Sequence, residues 1–108
     1  MRFAFGYFKK HFLMTDAEVA SRRQRIVDCA AANHRELVAL FIDEIATAPD
    51  EFHNALAAVM ELDDRALIVP SLVHFAGSGN PLEFRELLRA QQVAVLLSEP
   101  PQQAGRAC

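Results

Sequence analysis

"RFAFGYFKKHFLMTDAEV", residues 2–19, holds a strand, a turn and a helix start in eighteen positions. Phe3, Phe5 and Tyr7 alternate with Ala4, Gly6 and Phe8. Both sets are apolar, so the segment reads as a strand covered on both faces, the pattern of a parallel sheet. Gly6 marks a place where another element comes close to the backbone. Thr15 and Glu18 then form a T-x-x-E capping box, with Asp16 in the favourable first turn. A helix is expected over about 16–32, with Val19, Ile26, Val27 and Ala30 on its buried side. Arg22, Arg23 and Arg25 cannot share one narrow face and are assigned mostly to solvent. Asn33 is expected to close the helix in the left-handed region, and His34 lies near the negative end of its dipole.

The same alternation continues along the chain. "ELVALFID", residues 36–43, is a second strand, and "EIATAP" is a loop. Pro49 suits the first position of a helix running to about 62, with Phe52, Leu56, Val59 and Met60 at helical spacing. A third strand covers about 66–70 and ends at Pro70, which cannot donate to a ladder. "GSGN" is a turn, and Asn80, Pro81 and Glu83 open a helix over about 81–91 that carries Leu82, Phe84, Leu87 and Leu88. "VAVLL", residues 93–97, is a fourth strand. The order β-α-β-α-β-α-β predicts a three-layer α/β domain over 1–98, with a four-stranded parallel sheet in order 2-1-3-4 and helices on both faces. Residues 99–108 are expected to be a mobile tail. Ligands of such sheets lodge beyond the carboxyl ends of the strands, and the segment from Lys9 is one such end.

Composition narrows the function classes. The chain has 108 residues, 52% of them hydrophobic, which favours one folded domain over disorder. Eleven basic and 14 acidic residues leave a formal charge of −3, which argues against a strongly basic nucleic-acid reader. No run approaches the roughly 18 apolar residues of a membrane helix, and residues 1–10 lack the long apolar core of a signal peptide. No membrane partner is therefore expected, and the expected location is cytoplasmic. Two cysteines make no disulfide framework. Cys29 is expected as a small buried apolar residue and Cys108 as a free thiol in the tail.

Several stretches, taken in order, resemble the catalytic domain of the serine recombinases, the resolvases and invertases. "MRFAFGYFKK" is similar to that family's opening strand, which leads into G-Y-x-R-V-S and then T-D-x-Q. "SRRQRIVDCAAAN" sits where the family has its Q-R helix, "ALIVPSLVHFAGS" resembles the third strand with its L-D-R-x-x-R loop, and "LLRAQQVAVLLSE" resembles a later helix and strand. The similarity covers about residues 1–99. It implies a serine nucleophile acting on a DNA phosphate, with arginines stabilising the charge that in-line attack builds up.

This chain departs from that chemistry. Counted from Gly6-Tyr7, the family arginine falls on Lys9 and the serine on His11; counted back from Thr15-Asp16, the serine falls on Met14. In the D-R-x-x-R stretch the matching positions hold Val73, His74 and Gly77, and the loop that often carries an arginine before the second helix holds Asp50-Glu51. Loss of interdependent groups removes most of a catalytic rate. The resemblance then implies a recombinase scaffold without recombinase chemistry, hence no enzyme, no cofactor and no metal. A crevice joining a hydroxyl to two or more arginines would contradict this account.

The residues that remain suggest binding. Lys9, Lys10, His11 and His74 are candidate contacts for an anion or a partner. His11 and His74 alone do not supply the three or four ligands of a metal site. Phe12, Leu13 and Met14 form an apolar segment at a strand end, which either plugs the crevice or docks on a partner. The first functional reading is therefore a protein-interaction or regulatory module, binding a protein partner or a second copy. The alternative is weak, non-enzymatic contact of Lys9, Lys10, His74 and the arginines of 22–25 with nucleic-acid phosphates. A phosphorylated receiver domain is a poorer fit, since its acidic cluster is not matched by Lys9, Asp43-Glu44 and Val73.

Overall fold

The computed structural model describes residues 2–10, 13–44, 50–71 and 80–99. Its elements run β1 (Arg2–Lys10), α1 (Asp16–Ala32), β2 (Arg35–Glu44), α2 (Asp50–Met60), β3 (Ala66–Val69), α3 (Pro81–Ala90) and β4 (Ala94–Leu97). The four strands form one sheet in the order β2-β1-β3-β4, and every pairing is parallel. The α/β class, the strand order and the placing of helices on both faces follow the sequence expectation.

The two-sided reading of β1 decides the layers. Ala4 and Phe8 face α1 and pack with Met14, Ile26, Cys29, Ala30, Ala66 and Ile68. Tyr7 faces the opposite way and packs with Phe52, Ala55 and Val59 of α2, Leu67 and Val69 of β3, and Leu88 of α3. Gly6 lies on the α1 side, where a Cβ would sit 2.8 Å from Ile26 Cγ2 and 3.0 Å from Leu40 Cδ1. The close approach expected at this glycine is thus α1 pressing on the sheet.

Helix ends follow local chemistry. The Glu18 N–H donates to Thr15 Oγ1 at 3.1 Å, and the Thr15 N–H donates to Glu18 Oε1 at 3.2 Å, completing the capping box. Asn80 Oδ1 accepts from the Leu82 and Glu83 N–H groups at 3.0 and 3.3 Å. Pro49 lies outside the described residues. The left-handed residue after α1 is His34 (φ 58°) rather than Asn33 (φ −100°), whose own N–H still bonds the last turn. Gln92 (φ 63°) takes the same conformation between α3 and β4. A single left-handed residue lets the chain leave the last turn and enter the next strand, and a polar side chain fills that role where no glycine is available.

Other details differ from expectation. β1 extends through Lys10, so both lysines lie in the strand rather than beyond it. Val27, Met60 and Leu87 are exposed, not core, because each sits at the flank of its helix's apolar stripe. Cys29 is buried, as expected of an apolar position; Cys108 lies outside the described residues. Glu99, assigned by sequence to the tail, donates its backbone N–H to the Pro70 carbonyl at 2.9 Å. Residues 100–108 lie outside the described residues.

Candidate functional site

The carboxyl end of the sheet is the place to look for a site in a parallel α/β fold, and it differs on the two faces. On the α2 face Asp43, 4% exposed, closes β2. Its carboxylate accepts from the Tyr7 hydroxyl at 2.9 Å and from the Glu51 and Phe52 N–H groups at 2.9 and 3.0 Å. Asp43 thereby caps α2 from a neighbouring strand, using two of the N–H groups a helix start leaves without partners. Burial pushes the Tyr7 phenol far above its ordinary value, and the hydrogen bond and charge of Asp43 push it further in the same direction. Tyr7 is therefore a neutral donor at any physiological pH. With the Phe52 ring tilted against its own at 4.9 Å between centres, this is a sealed structural joint.

The α1 face is more open. Arg22, Arg25, Ser21 and Glu18 recur at helical spacing on α1, and with Met14 they line a cleft of about 170 Å³. Arg22 places Nε and Nη2 on the two carboxylate oxygens of Glu99, at 3.0 and 3.2 Å. Arg25 Nη1 reaches the same carboxylate at 3.4 Å. The Arg22 guanidinium also lies over the Phe8 ring, 5.7 Å from its centre. Burial alone raises the Glu99 carboxyl, but the hydrogen bond and charge of Arg22 and the charge of Arg25 outweigh it, so its pKa lies below the ordinary value.

This cleft corrects one expectation. A hydroxyl and two arginines do share a crevice, contrary to the reading of a pocket stripped of both. Sequence reasoning missed it because Ser21 and the arginines lie on the helix, away from the family's strand-end positions, and because their partner is 77 residues away. The only local signal was the 18-21-22-25 spacing. Thr15, the first hydroxyl in the sequence after β1, is committed to its helix cap.

The candidate contacts named from sequence fall as follows. Lys9 and Lys10 stand opposite Asp43 and Glu44 in the β1–β2 register, which sets two cations beside two acids. Leu13 is 71% exposed, whereas Met14 is buried in the α1-side core. The apolar segment thus divides: Met14 plugs inward and Leu13 faces out. His11, Phe12 and His74 lie outside the described residues.

The amino ends of the strands carry a second arginine cluster. Arg35, with a 3% exposed side chain, donates to the Phe3 carbonyl at 2.8 Å and, at 3.0 and 2.8 Å, to the Asp64 carbonyl and carboxylate. Arg2 Nε binds the same carboxylate at 2.6 Å. The hydrogen bonds from Arg35 and then Arg2 hold the Asp64 carboxyl below its ordinary value. Larger clefts of about 370 and 340 Å³ open at this end, beside Arg85, Arg89 and Val93, and beside Arg2, Leu62 and Asp64. They lie at the amino ends of the strands, away from the end where parallel sheets hold ligands.

Among the described residues no group of three or more histidine, cysteine or acidic side chains could hold a metal ion, and no helix is long and apolar enough to cross a membrane. No family model matches the chain and no curated protein matches it, so neither comparison identifies a serine recombinase domain.

Proposed function

We propose that this chain is a non-catalytic α/β module that acts by binding a protein partner or a second copy of itself. The crevice shared by Ser21, Arg22 and Arg25 removes the argument from a stripped pocket, so one other observation carries the reading: the guanidinium pair at the ligand end of the sheet is closed on the protein's own Glu99. A catalytic phosphate site presents its arginines to the substrate, where charge develops in the transition state. Here Arg22 turns its Nε–H and an Nη2–H onto the two oxygens of one carboxylate, and the Ser21 hydroxyl projects from an exposed helix position beside it. Leu13 adds an exposed apolar side chain next to the buried Met14, a suitable anchor for a docking surface.

Incubation with nicked or suicide DNA substrates tests the absence of chemistry. No covalent protein–DNA species is expected. An adduct mapped to Ser21, or to any other hydroxyl, would overturn the reading. Sedimentation of the wild type and Leu13→Asp tests association. A self-associating or partner-bound wild type that Leu13→Asp weakens supports the docking role, and identical behaviour of the two removes Leu13 from it.

The crevice of Ser21, Arg22 and Arg25 supports a second reading, non-covalent contact with nucleic-acid phosphates. Such binding falls steeply with rising salt. An anisotropy titration at low salt that shows no binding removes it. The acids beside Lys9, Lys10, Arg22 and Arg25 weigh against it, because each offsets a charge that a polyanion would need.

A further inference from the structure

We propose that Arg22 and Arg25 form a binding site for a small oxyanion of the phosphate class, and that Glu99 is a built-in carboxylate that holds the site closed. It rests on the same Arg22–Glu99 contact as the reading above, and the phosphate titration below and the sedimentation of Leu13→Asp report on the two separately.

The geometry is that of oxyanion recognition. Arg22 meets Glu99 through two parallel N–H···O bonds, at 3.0 and 3.2 Å. A carboxylate and a phosphate present the same paired oxygens to a guanidinium fork. The Phe8 ring lies under the Arg22 guanidinium, 5.7 Å from its centre, and adds a cation–π contact that does not depend on the occupant of the fork. Arg25 approaches the same point from the next turn of α1. The adjoining cleft of about 170 Å³ gives an incoming group a path, with the Ser21 hydroxyl on its rim as a further donor.

The closing group can leave without disturbing the fold. The backbone around Glu99 is held by the Ser98 N–H on the Val69 carbonyl and the Glu99 N–H on the Pro70 carbonyl, both at 2.9 Å. Rotation of the Glu99 side chain alone opens the cradle and leaves the β3–β4 ladder intact. The side chains of Arg22 and Glu99 are 23% and 24% exposed, so solvent and ligand already reach them. Glu18, engaged by Thr15, leaves a negative charge on the rim, so a singly charged oxyanion suits the site better than a doubly charged one.

Titration of inorganic phosphate at constant ionic strength, followed by the amide resonances of residues 21–25, tests the proposal. If the carboxylate fills the cradle about nine-tenths of the time, removing it tightens apparent affinity about ten-fold. Glu99→Gln is therefore expected to bind phosphate about ten-fold more tightly than the wild type. Glu99→Gln combined with Arg22→Gln should lose saturable binding, whereas Arg23→Gln should behave as wild type. A parallel titration with a thymidine dinucleotide separates free phosphate from a backbone phosphodiester; Arg22-dependent saturation by either supports the site. Glu99→Asp, whose shorter side chain withdraws the carboxylate, serves if Glu99→Gln proves unfolded by circular dichroism, and should tighten binding in the same direction. The proposal is overturned if the folded Glu99 variant shows no saturable shift for either probe, or if the shift survives loss of Arg22.

Discussion

Two arginine–carboxylate clamps sit at opposite ends of this sheet, and they differ in what surrounds the charge. At the amino end Arg35 is sealed, with a 3% exposed side chain whose donors are divided between backbone carbonyls and Asp64. At the carboxyl end Arg22 is nearly a quarter exposed, its guanidinium bonds go to one side chain, and a cleft opens beside it. The first clamp ties two backbone carbonyls to a guanidinium that is itself almost fully buried, so removing it takes away their donor and leaves a gap in the packing. The second satisfies a side chain that water or another anion can satisfy as well. Similar chemistry gives a fixed joint at one end and an exchangeable one at the other.

Breaking the sealed clamp should have the largest effect. Arg35→Met is expected to destabilise by about 3 kcal/mol, read as a lower midpoint in urea unfolding. A change under about 1 kcal/mol would show that the buried guanidinium is no more than a surface ion pair. Next in size is Asp43→Ala, which removes the α2 cap and strands the buried Tyr7 hydroxyl. About 2 to 3 kcal/mol is expected by the same measurement. This sharpens the comparison within the carboxyl end itself, where the α2 face is sealed and the α1 face is not.

Glu99→Gln should be milder, about 0.5 to 1 kcal/mol, and the difference from wild type should shrink in high salt. Acid gives the sign independently. The Glu99 carboxyl titrates lower in the fold than in the unfolded chain. Its contribution is therefore complete above the ordinary carboxylate range and lost as pH falls through the folded value. Stability curves of wild type and Glu99→Gln should converge as the pH drops below about 4; curves that stay parallel would remove Glu99 from the clamp. The smallest effect lies between elements: His34→Gly relieves a left-handed residue with a side chain and should stabilise by about 0.5 to 1 kcal/mol in thermal unfolding.

What the sequence made legible was local. The alternation in β1 gave the two faces, the Thr15–Glu18 spacing gave the start of α1, and Asn80-Pro81 gave the start of α3. These are interactions between residues a few positions apart, and periodicity encodes them. The clamps join residues far apart in the chain: Arg35 to Asp64, Tyr7 to Asp43, and Arg22 to Glu99. Nothing in the local pattern pairs them, because each partner is chosen by strand order and by which helix covers which face. Asp43 left a faint trace as the first of two acids that close an apolar run shortly before a helix. Glu99 left none, since it begins a stretch with the composition of a tail. The left-handed position shifted from Asn33 to His34 because Asn33 is still bonded into the last turn of α1.

The most direct test of the account is the Arg22 Nε–H resonance, followed by NMR from pH 7 down to pH 2. If Glu99 closes the cradle, this proton exchanges slowly at neutral pH and shifts with the protonation of Glu99, below the ordinary carboxylate range, and the transition is absent in Glu99→Gln. An Arg22 Nε–H that exchanges like that of a solvent-exposed arginine, with the same pH profile in wild type and Glu99→Gln, would contradict it.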